Sequence, residues 1–328
     1  MESVWKMTGK HLVKLGIRYI REKGFKHFLW RFLHFILVEK NRHIENLNYL
    51  FVRIRNIRTD HIQITVNSNY LMYVDLKDKG ISKELCVHKT REPFSTEFLQ
   101  KFVKEEDIVI DIGANIGYYS LMEAQLANKG KVYAIEPIPT NVDLLKKNVE
   151  LNAYKNIFVY QFAIGDKNGV GKMYIYDKCN WCSFIKNPMG NIVNEVKVPL
   201  MTLDTFVNEY VDQSPSFIRM DVEGYEYQII RGAAKVLENK PLKLCIELHP
   251  HLMPRKNMVE LLNILKQKGF EIKAIFVETS LYNYKDINII NKLRRKIGLP
   301  EFGFGGQSYE DLDKLVRQNQ SCMVFFEK

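Results

Sequence analysis

The sequence has few cysteines, and they form no disulfide pattern. Five cysteines occur in 328 residues, an odd number at scattered positions, so we expect free thiols and a reducing compartment. Cys179 and Cys182 alone have a suggestive spacing, and one such pair without a second Cys or His pair is a weak signal for zinc or redox chemistry. We therefore expect a cytoplasmic protein that needs no metal.

Long apolar runs are also absent. The most apolar stretch, residues 28–38, contains Arg31 and His34, and it is too short for a bilayer span, which needs about 20 apolar residues. Internal repeats and low-complexity tracts are missing as well. A hydrophobic content of 46% is ordinary for a globular protein with a full core. The length allows one large domain with an extension, or two domains.

Acidic residues are scarce at the N-terminus. Residues 1–60 contain thirteen Lys and Arg against five Asp and Glu, which accounts for +8 of the net charge of +10. A basic helix with aromatic residues is typical of contact with an anionic membrane surface; the alternative is a helix packed on the rest of the chain with its charges in water. Positive charge alone does not separate lipid phosphates from those of nucleic acid, but no RNA-binding motif accompanies it. We expect peripheral membrane contact and do not expect nucleic acid as a partner.

The pattern divides the chain into three parts. Residues 1–60 form the basic, aromatic-rich helical extension. Residues 61–90 begin with two alternating segments around Asn67-Ser-Asn69, which predict a β-hairpin. Residues 91–328 alternate apolar strands with amphipathic helices, as in an α/β domain.

One stretch of that domain indicates a ligand site. Residues 108–112 read as a strand buried on both faces, and a helical pattern starts at Tyr118. Between them, the loop with Gly113, Ala114, Asn115 and Gly117 presents backbone N–H groups at a helix N-terminus. Asp111, at the strand's end, would place a carboxylate at the mouth of the loop, which disfavours phosphate and suits a zwitterion such as the methionine part of S-adenosylmethionine. The alternative is a glycine turn that only tightens a corner.

The next strand adds a second acid. Residues 131–136 end in Glu136, followed by Pro137 and a helix start at Pro139. An acid at the end of the second strand, about 20 residues after a glycine loop, is where a ribose hydroxyl pair is bound. Alone, a strand-terminal Glu is usually a solvated end; together with the loop it predicts a nucleoside-containing cofactor.

Six motifs occur in an order that resembles FkbM-type S-adenosylmethionine-dependent methyltransferases. The resemblance covers roughly residues 92–250, about half of the chain, and its motifs are 110–117, 134–137, 163–166, 202–204, 220–226 and 246–249. The resemblance implies a class I methyltransferase Rossmann-like sheet, mostly parallel with an antiparallel last strand, preceded here by the helical and β-hairpin extension. It also implies S-adenosylmethionine as cofactor and a hydroxyl of a sugar or similar product as acceptor.

The resemblance assigns further residues to the site. Ala163 and Asp166, after the third strand, fall where class I methyltransferases bind the adenine edge. Asp221 follows the fourth strand at the methyl-transfer position, with Glu223 two residues on. Glu247 and His249 come from the fifth strand, where a buried carboxylate needs a partner; His249 can equally be a plain strand-end residue. Glu92 falls where the family often has an acid at the cofactor entrance, or is a solvated loop residue.

The acceptor's proton requires a base, and four side chains are candidates. Asp221, Glu223, Glu247 and His249 can each serve as general base, and the sequence does not choose among them. The same side chains can instead hold a divalent cation, as in catechol-type relatives, but the paired acids of those relatives are not matched and we expect no metal.

We therefore predict a methyltransferase acting on a hydroxyl of a small molecule, glycan or glycolipid. Two alternatives remain open: a non-catalytic membrane- or partner-binding protein on the same fold, and a nucleic-acid methyltransferase. The absence of Asn-Pro-Pro-Tyr, a signature of many amino-group methyltransferases, disfavours transfer to nitrogen.

Overall fold

A computed structural model describes residues 23–188, 190–278, 284–299 and 301–328. They form an α/β domain preceded by a long helix and a β-hairpin. The first half of the chain contains α1 (Phe25–Arg55), β1 (His61–Val66), β2 (Tyr70–Asp75), α2 (Ile81–His88), α3 (Pro93–Phe102), β3 (Ile108–Ile112), α4 (Tyr118–Leu126), β4 (Lys131–Ile135), α5 (Pro139–Leu151), β5 (Ile157–Tyr160), β6 (Ala163–Gly165) and β7 (Gly169–Tyr176). The second half contains β8 (Ile192–Thr202), α6 (Leu203–Tyr210), β9 (Phe217–Met220), α7 (Glu226–Arg231), β10 (Lys243–Leu248), α8 (Arg255–Gln267), β11 (Glu271–Val277), α9 (Tyr284–Lys296), β12 (Gly303–Gly306), α10 (Tyr309–Arg317) and β13 (Cys322–Glu327).

The main sheet has eight strands in the order β12-β11-β13-β10-β9-β3-β4-β5. The neighbours from β10 through β5 are parallel, whereas β13 runs antiparallel between β10 and β11. This confirms the predicted class I methyltransferase sheet, in which the last strand is reversed. Because β9, β3 and β4 are parallel neighbours, their carboxyl ends meet at one edge.

The central strands are buried on both faces, which their composition requires. Side chains alternate across a strand, so Ile108, Ile110 and Ile112 of β3 pack under α6, α7 and α8, while Val109 packs on the side of α4 and α5. The sheet is therefore the middle of three layers.

The predicted β-hairpin is present as β1 and β2, and α5 attaches it to the domain. Asn148 accepts a hydrogen bond from Tyr73 N at 2.6 Å and donates to Ile116 O at 2.8 Å. Asn152 bonds both backbone groups of Leu71, at 2.9 and 2.7 Å. Two side-chain amides thus replace a neighbouring strand along the open edge of β2.

Some elements were not predicted. Strand β12 includes glycines that read as a linking segment, yet it pairs with β11. Helix α2 follows the hairpin inside a segment predicted as β structure. Strands β7 and β8 form an antiparallel hairpin, and β6 pairs with β8 to complete a second sheet of three strands. Of the basic extension, residues 1–22 lie outside the described residues.

We predict that Asn148→Ala lowers the free energy of unfolding by about 2–3 kcal/mol, because it leaves the buried Ile116 carbonyl without its donor. Urea denaturation of the purified protein measures this change. The control is Asn128→Ala, whose single long bond to Gln125 O is exposed and which should change the free energy by less than about 0.5 kcal/mol. Equal stability of the two variants would contradict the role of Asn148 in attaching the hairpin to the domain.

Candidate active site

The glycine loop between β3 and α4 touches the end of β9. Gly113 has φ +85°, and a Cβ added to it would lie 2.1 Å from Asp221 O. Any side chain here would therefore push the two segments apart. Gly117 has φ +96°, a backbone conformation that other residues rarely adopt, and it packs against the Leu145 side chain. The loop needs these glycines in order to lie against its neighbours.

Glu136 organises the loop from the end of β4. Its carboxylate accepts hydrogen bonds from Asn115 N at 2.9 Å, from Ile138 N at 3.0 Å and from the Asn141 side chain at 3.2 Å. Burial raises the pKa of Glu136 to about 7, although these donors oppose the rise. The carboxylate thus links the glycine loop to the start of α5.

A narrow cleft, with a cavity volume of about 50 Å³, opens at this edge of the sheet. Its apolar walls include Phe162, Met173, Phe184 and Tyr225. The predicted site residues that line the cleft are Gly113, Asn115, Glu136, Pro137, Ala163, Asp221 and Glu223. Residues predicted to bind the cofactor and residues predicted to act on the acceptor therefore line one cleft.

Other predicted site residues lie outside the cleft lining. The Tyr118 hydroxyl donates to Arg91 O at 2.9 Å and so holds the segment before α3. Asp166 is partly exposed and 3.8 Å from Arg231. Ala114 and Gly117 form the buried base of the loop. Glu247 and His249 do not line the cleft, and His249 lies 3.5 Å from Glu223, which does.

Asp111 is not at the mouth of the loop, so that expectation is wrong. Its side chain is fully buried on the α4 side of the sheet, opposite to Ile110 and Ile112, because neighbouring strand residues face opposite ways. One oxygen lies 3.0 Å from Arg219 Nη1 and the other accepts from Ser120 Oγ at 2.5 Å. The carboxylate therefore contacts the protein rather than a ligand.

Arg219, which sequence reasoning missed, connects Asp111 to the cleft. Its Nη2 lies 3.1 Å from Asp221 Oδ2, and its guanidinium stacks on the Tyr119 ring at 3.8 Å. The missed signal was an arginine inside an apolar strand, since a charge buried there needs acidic partners. Here the partners come from β3 and from the residue that follows β9.

His249 lies within a group of carboxylates. Its Nδ1 is 3.2 Å from Glu226, and its Nε2 is 3.5 Å from both Glu223 and Glu247. Burial lowers the pKa of His249, but the three carboxylates outweigh it and hold the pKa well above its usual value. The three carboxylates therefore favour the imidazolium form of the ring.

The neighbouring acids differ in protonation. Burial and the Asp221 charge raise the pKa of Glu247 well above its usual range, which favours its protonated form. For Asp221, burial is outweighed by Arg219, His249 and Arg91, which lower its pKa. Burial raises the pKa of Glu223 to about 7 against the opposing effect of His249. Glu223 alone of these acids is both on the cleft and near its midpoint at neutral pH.

Glu92 and Arg91 form a buried ion pair next to the site. Glu92 is buried, lies 2.6 Å from Arg91 Nε and accepts from the Tyr119 hydroxyl at 2.5 Å. It is not a solvated loop residue. Its contacts place it in the network that supports Arg219 and Asp221, and outside the cleft lining.

A divalent cation is geometrically possible at one point. Ligand atoms of Asp221, Glu247 and His249 lie within 4.8 Å of one another. Each of these groups already has charged neighbours, because Arg219 contacts Asp221 and carboxylates face both His249 nitrogens. The absence of a metal stays a prediction.

Comparison with known proteins gives a family. The model for the methyltransferase FkbM domain matches residues 111–272. The chain is 22% identical over 238 residues to Methyltransferase 1 of Beauveria bassiana, over 64% of this chain and 89% of the relative. It is 25% identical over 170 residues to the hexuronic acid methyltransferase AglP of Haloferax volcanii, over 50% of this chain and 64% of the relative.

A solved structure of methyltransferase FkbM from Methylobacillus flagellatus is 17% identical, with a TM-score of 0.43, and the match covers 74% of this chain and 50% of that one. The matched region, residues 111–272, begins at the end of β3 and includes the cleft residues described above. The chain carries a methyltransferase FkbM domain at residues 111–272, with the class I methyltransferase fold.

Proposed function

We propose that this protein transfers the methyl group of S-adenosylmethionine to a hydroxyl of a glycan, glycolipid or related metabolite. One observation carries the proposal: the glycine loop, Glu136 and the carboxylates Asp221 and Glu223 line a single cleft. The loop and Glu136 suit a nucleoside, and the two carboxylates suit a hydroxyl that must lose a proton.

The residues of the cleft fit this cofactor. Glu136 provides carboxylate oxygens for ribose hydroxyls. Ala163 leaves room for a flat ring, and the aromatic side chains of Phe162 and Tyr225 give the ring an apolar wall. Gly113 keeps the loop free of a side chain where a ligand must approach the backbone. When bound, S-adenosylmethionine supplies an electrophilic methyl group, and the protein supplies orientation and a base.

Glu223 is the side chain that we propose as general base. A base works best when its pKa is near the operating pH, and burial brings the pKa of Glu223 to about 7. Asp221, held ionised by Arg219, is a weaker base and serves to position the acceptor. His249, 3.5 Å from Glu223, stabilises its ionised form. The hydroxyl proton passes to Glu223 as the acceptor oxygen is methylated.

A hydroxyl acceptor is favoured over a carboxylate acceptor. The name of the AglP relative points to a sugar acid as its acceptor, which supports a glycan-related substrate here. A carboxylate needs no base, however, and the acids at the acceptor end would repel it. A neutral hydroxyl needs a base and is not repelled by these acids.

The cofactor assignment predicts that Glu136→Gln weakens S-adenosylmethionine binding by about 10- to 100-fold, because an amide cannot accept from two ribose hydroxyls as a carboxylate does. Isothermal titration calorimetry measures the affinity. The matched control is Glu150→Gln at the exposed end of α5, which should leave the affinity unchanged.

Glu136 also holds the glycine loop, so its variant is examined by urea denaturation as well. A lower free energy of unfolding with unchanged cofactor affinity would show that Glu136 only supports the loop, and would contradict the ribose assignment.

The base assignment predicts a pH dependence. Glu223 must be ionised to accept a proton, so methyl transfer is present above the pKa of Glu223, about 7, and is lost as the pH falls through it. Glu223→Gln should lower kcat by about 10²- to 10⁴-fold and remove this pH dependence. Labelled-methyl transfer to an active glycan acceptor, measured across pH, tests both effects.

Two results would contradict this assignment. One is a Glu223→Gln enzyme that keeps wild-type kcat and the same pH profile. The other is loss of transfer on treatment with a chelator and its return on adding Mg²⁺, because a cation at Asp221, Glu247 and His249 would then activate the hydroxyl.

A further inference from the structure

Helix α1 has an outer face of exposed apolar side chains. With about 100° of rotation per residue, ten exposed large hydrophobic residues of this helix fall within a sector of about 120°. Such exposure is unusual for a monomer, in which large apolar patches mark contact sites. We call this set the outer stripe: Phe25, Leu29, Phe32, Leu33, Ile36, Ile44, Leu47, Leu50, Phe51 and Ile54.

The rest of the α1 surface is partly used in packing. Leu37 and Val38 pack against Ile287 and Ile290 of α9. Near the other end, Tyr49 is buried, and its hydroxyl donates to Leu76 O at 2.8 Å. The helix is therefore packed on the domain through these residues, and the outer stripe is not needed for that packing.

Basic residues accompany the outer stripe. Lys26 and Lys40 are exposed on the same side, and Arg53 and Arg55 flank its C-terminal half on either side. The two acidic residues of α1 are paired elsewhere, since Glu39 contacts Arg42 and Glu45 contacts His88. The face is therefore apolar and cationic, which complements an anionic surface.

We propose that the outer stripe of α1 binds an anionic lipid surface and lies in the plane of its headgroups. At 1.5 Å per residue the helix is about 46 Å long, which suits a flat interface. None of the described helices is long and apolar enough to cross a membrane. A lipid interface admits apolar side chains while lysine ammonium groups reach the phosphates.

A second copy of this chain suits the outer stripe less well. Lys40 and His43 lie near the middle of the sector and are exposed. In a helix–helix seam Lys40 would be buried without an acidic partner from α1, because both acids of α1 are engaged. At a headgroup layer the same lysine contacts phosphate.

Vesicle co-sedimentation of the full chain tests the proposal. We expect at least about tenfold stronger binding to vesicles of phosphatidylcholine with phosphatidylglycerol than to phosphatidylcholine alone, since several basic residues contribute. Leu47→Ser/Phe51→Ser/Ile54→Ser should weaken binding to the anionic vesicles by more than about tenfold. The matched control, Val170→Ser/Val193→Ser/Val259→Ser, removes three exposed apolar residues elsewhere and should bind like wild type.

Three results would overturn the proposal. The first would be a wild-type chain that does not prefer anionic vesicles. The second would be an α1 triple variant that binds these vesicles as strongly as wild type. The third would be a wild-type dimer, seen by sedimentation velocity, that does not bind vesicles and that the triple variant does not form. The last result would assign the outer stripe to a second copy. Cofactor affinity, titrated in the same variants, should not change, so failure here leaves the proposed function untouched.

Discussion

The guanidinium of Arg219 is the interaction on which the site depends. It lies between Asp111 of β3 and Asp221 after β9, at 3.0 and 3.1 Å, with Tyr119 beneath it. Two buried carboxylates on neighbouring strands would repel each other without it, and breaking such a buried pair costs about 3–5 kcal/mol. Arg219 thereby fixes where the Asp221 carboxylate meets the cleft, and close packing of Gly113 against Asp221 O fixes the loop on the same point.

The distribution of protons follows from that arrangement. Arg219 lowers the pKa of Asp221, whereas the pKa values of Glu247 and His249 are raised, so protons are favoured on Glu247 and on the His249 ring. Burial raises the pKa of Glu223 and His249 lowers it, so that the pKa is about 7. A base suited to neutral pH therefore arises from competing effects, none of which belongs to Glu223 alone. The cluster contains its own cationic groups, Arg219 and His249, and the absence of a metal remains a prediction.

The sequence predicted those parts of the site that have local signals. The sheet with its reversed last strand followed from the order of apolar strands and from the family resemblance, and Glu136 followed from its place after β4. The orientation of Asp111 was missed because alternation across β3 points it away from the cleft, and the role of Arg219 was missed because its partners come from other strands. Strand β12 was missed because glycines carry no strand signal. The outer stripe could not be predicted from charge, because it depends on which face of α1 packs against α9, far along the chain.

The central claim is that the cleft at the carboxyl edge of β3 and β4 binds S-adenosylmethionine. Calorimetric titration of the wild-type protein with S-adenosylmethionine, S-adenosylhomocysteine and NAD tests it most directly. The loop and Glu136 predict binding of both sulfur ligands with dissociation constants on the order of micromolar, about −8 kcal/mol. They predict no binding of NAD, because Asn115 stands where a dinucleotide fingerprint has the glycine that lets the backbone approach a pyrophosphate, and Tyr118 stands where it has the glycine that packs the helix on the strand. A folded protein that binds neither sulfur ligand would contradict the account and would favour a non-catalytic binding protein on this fold.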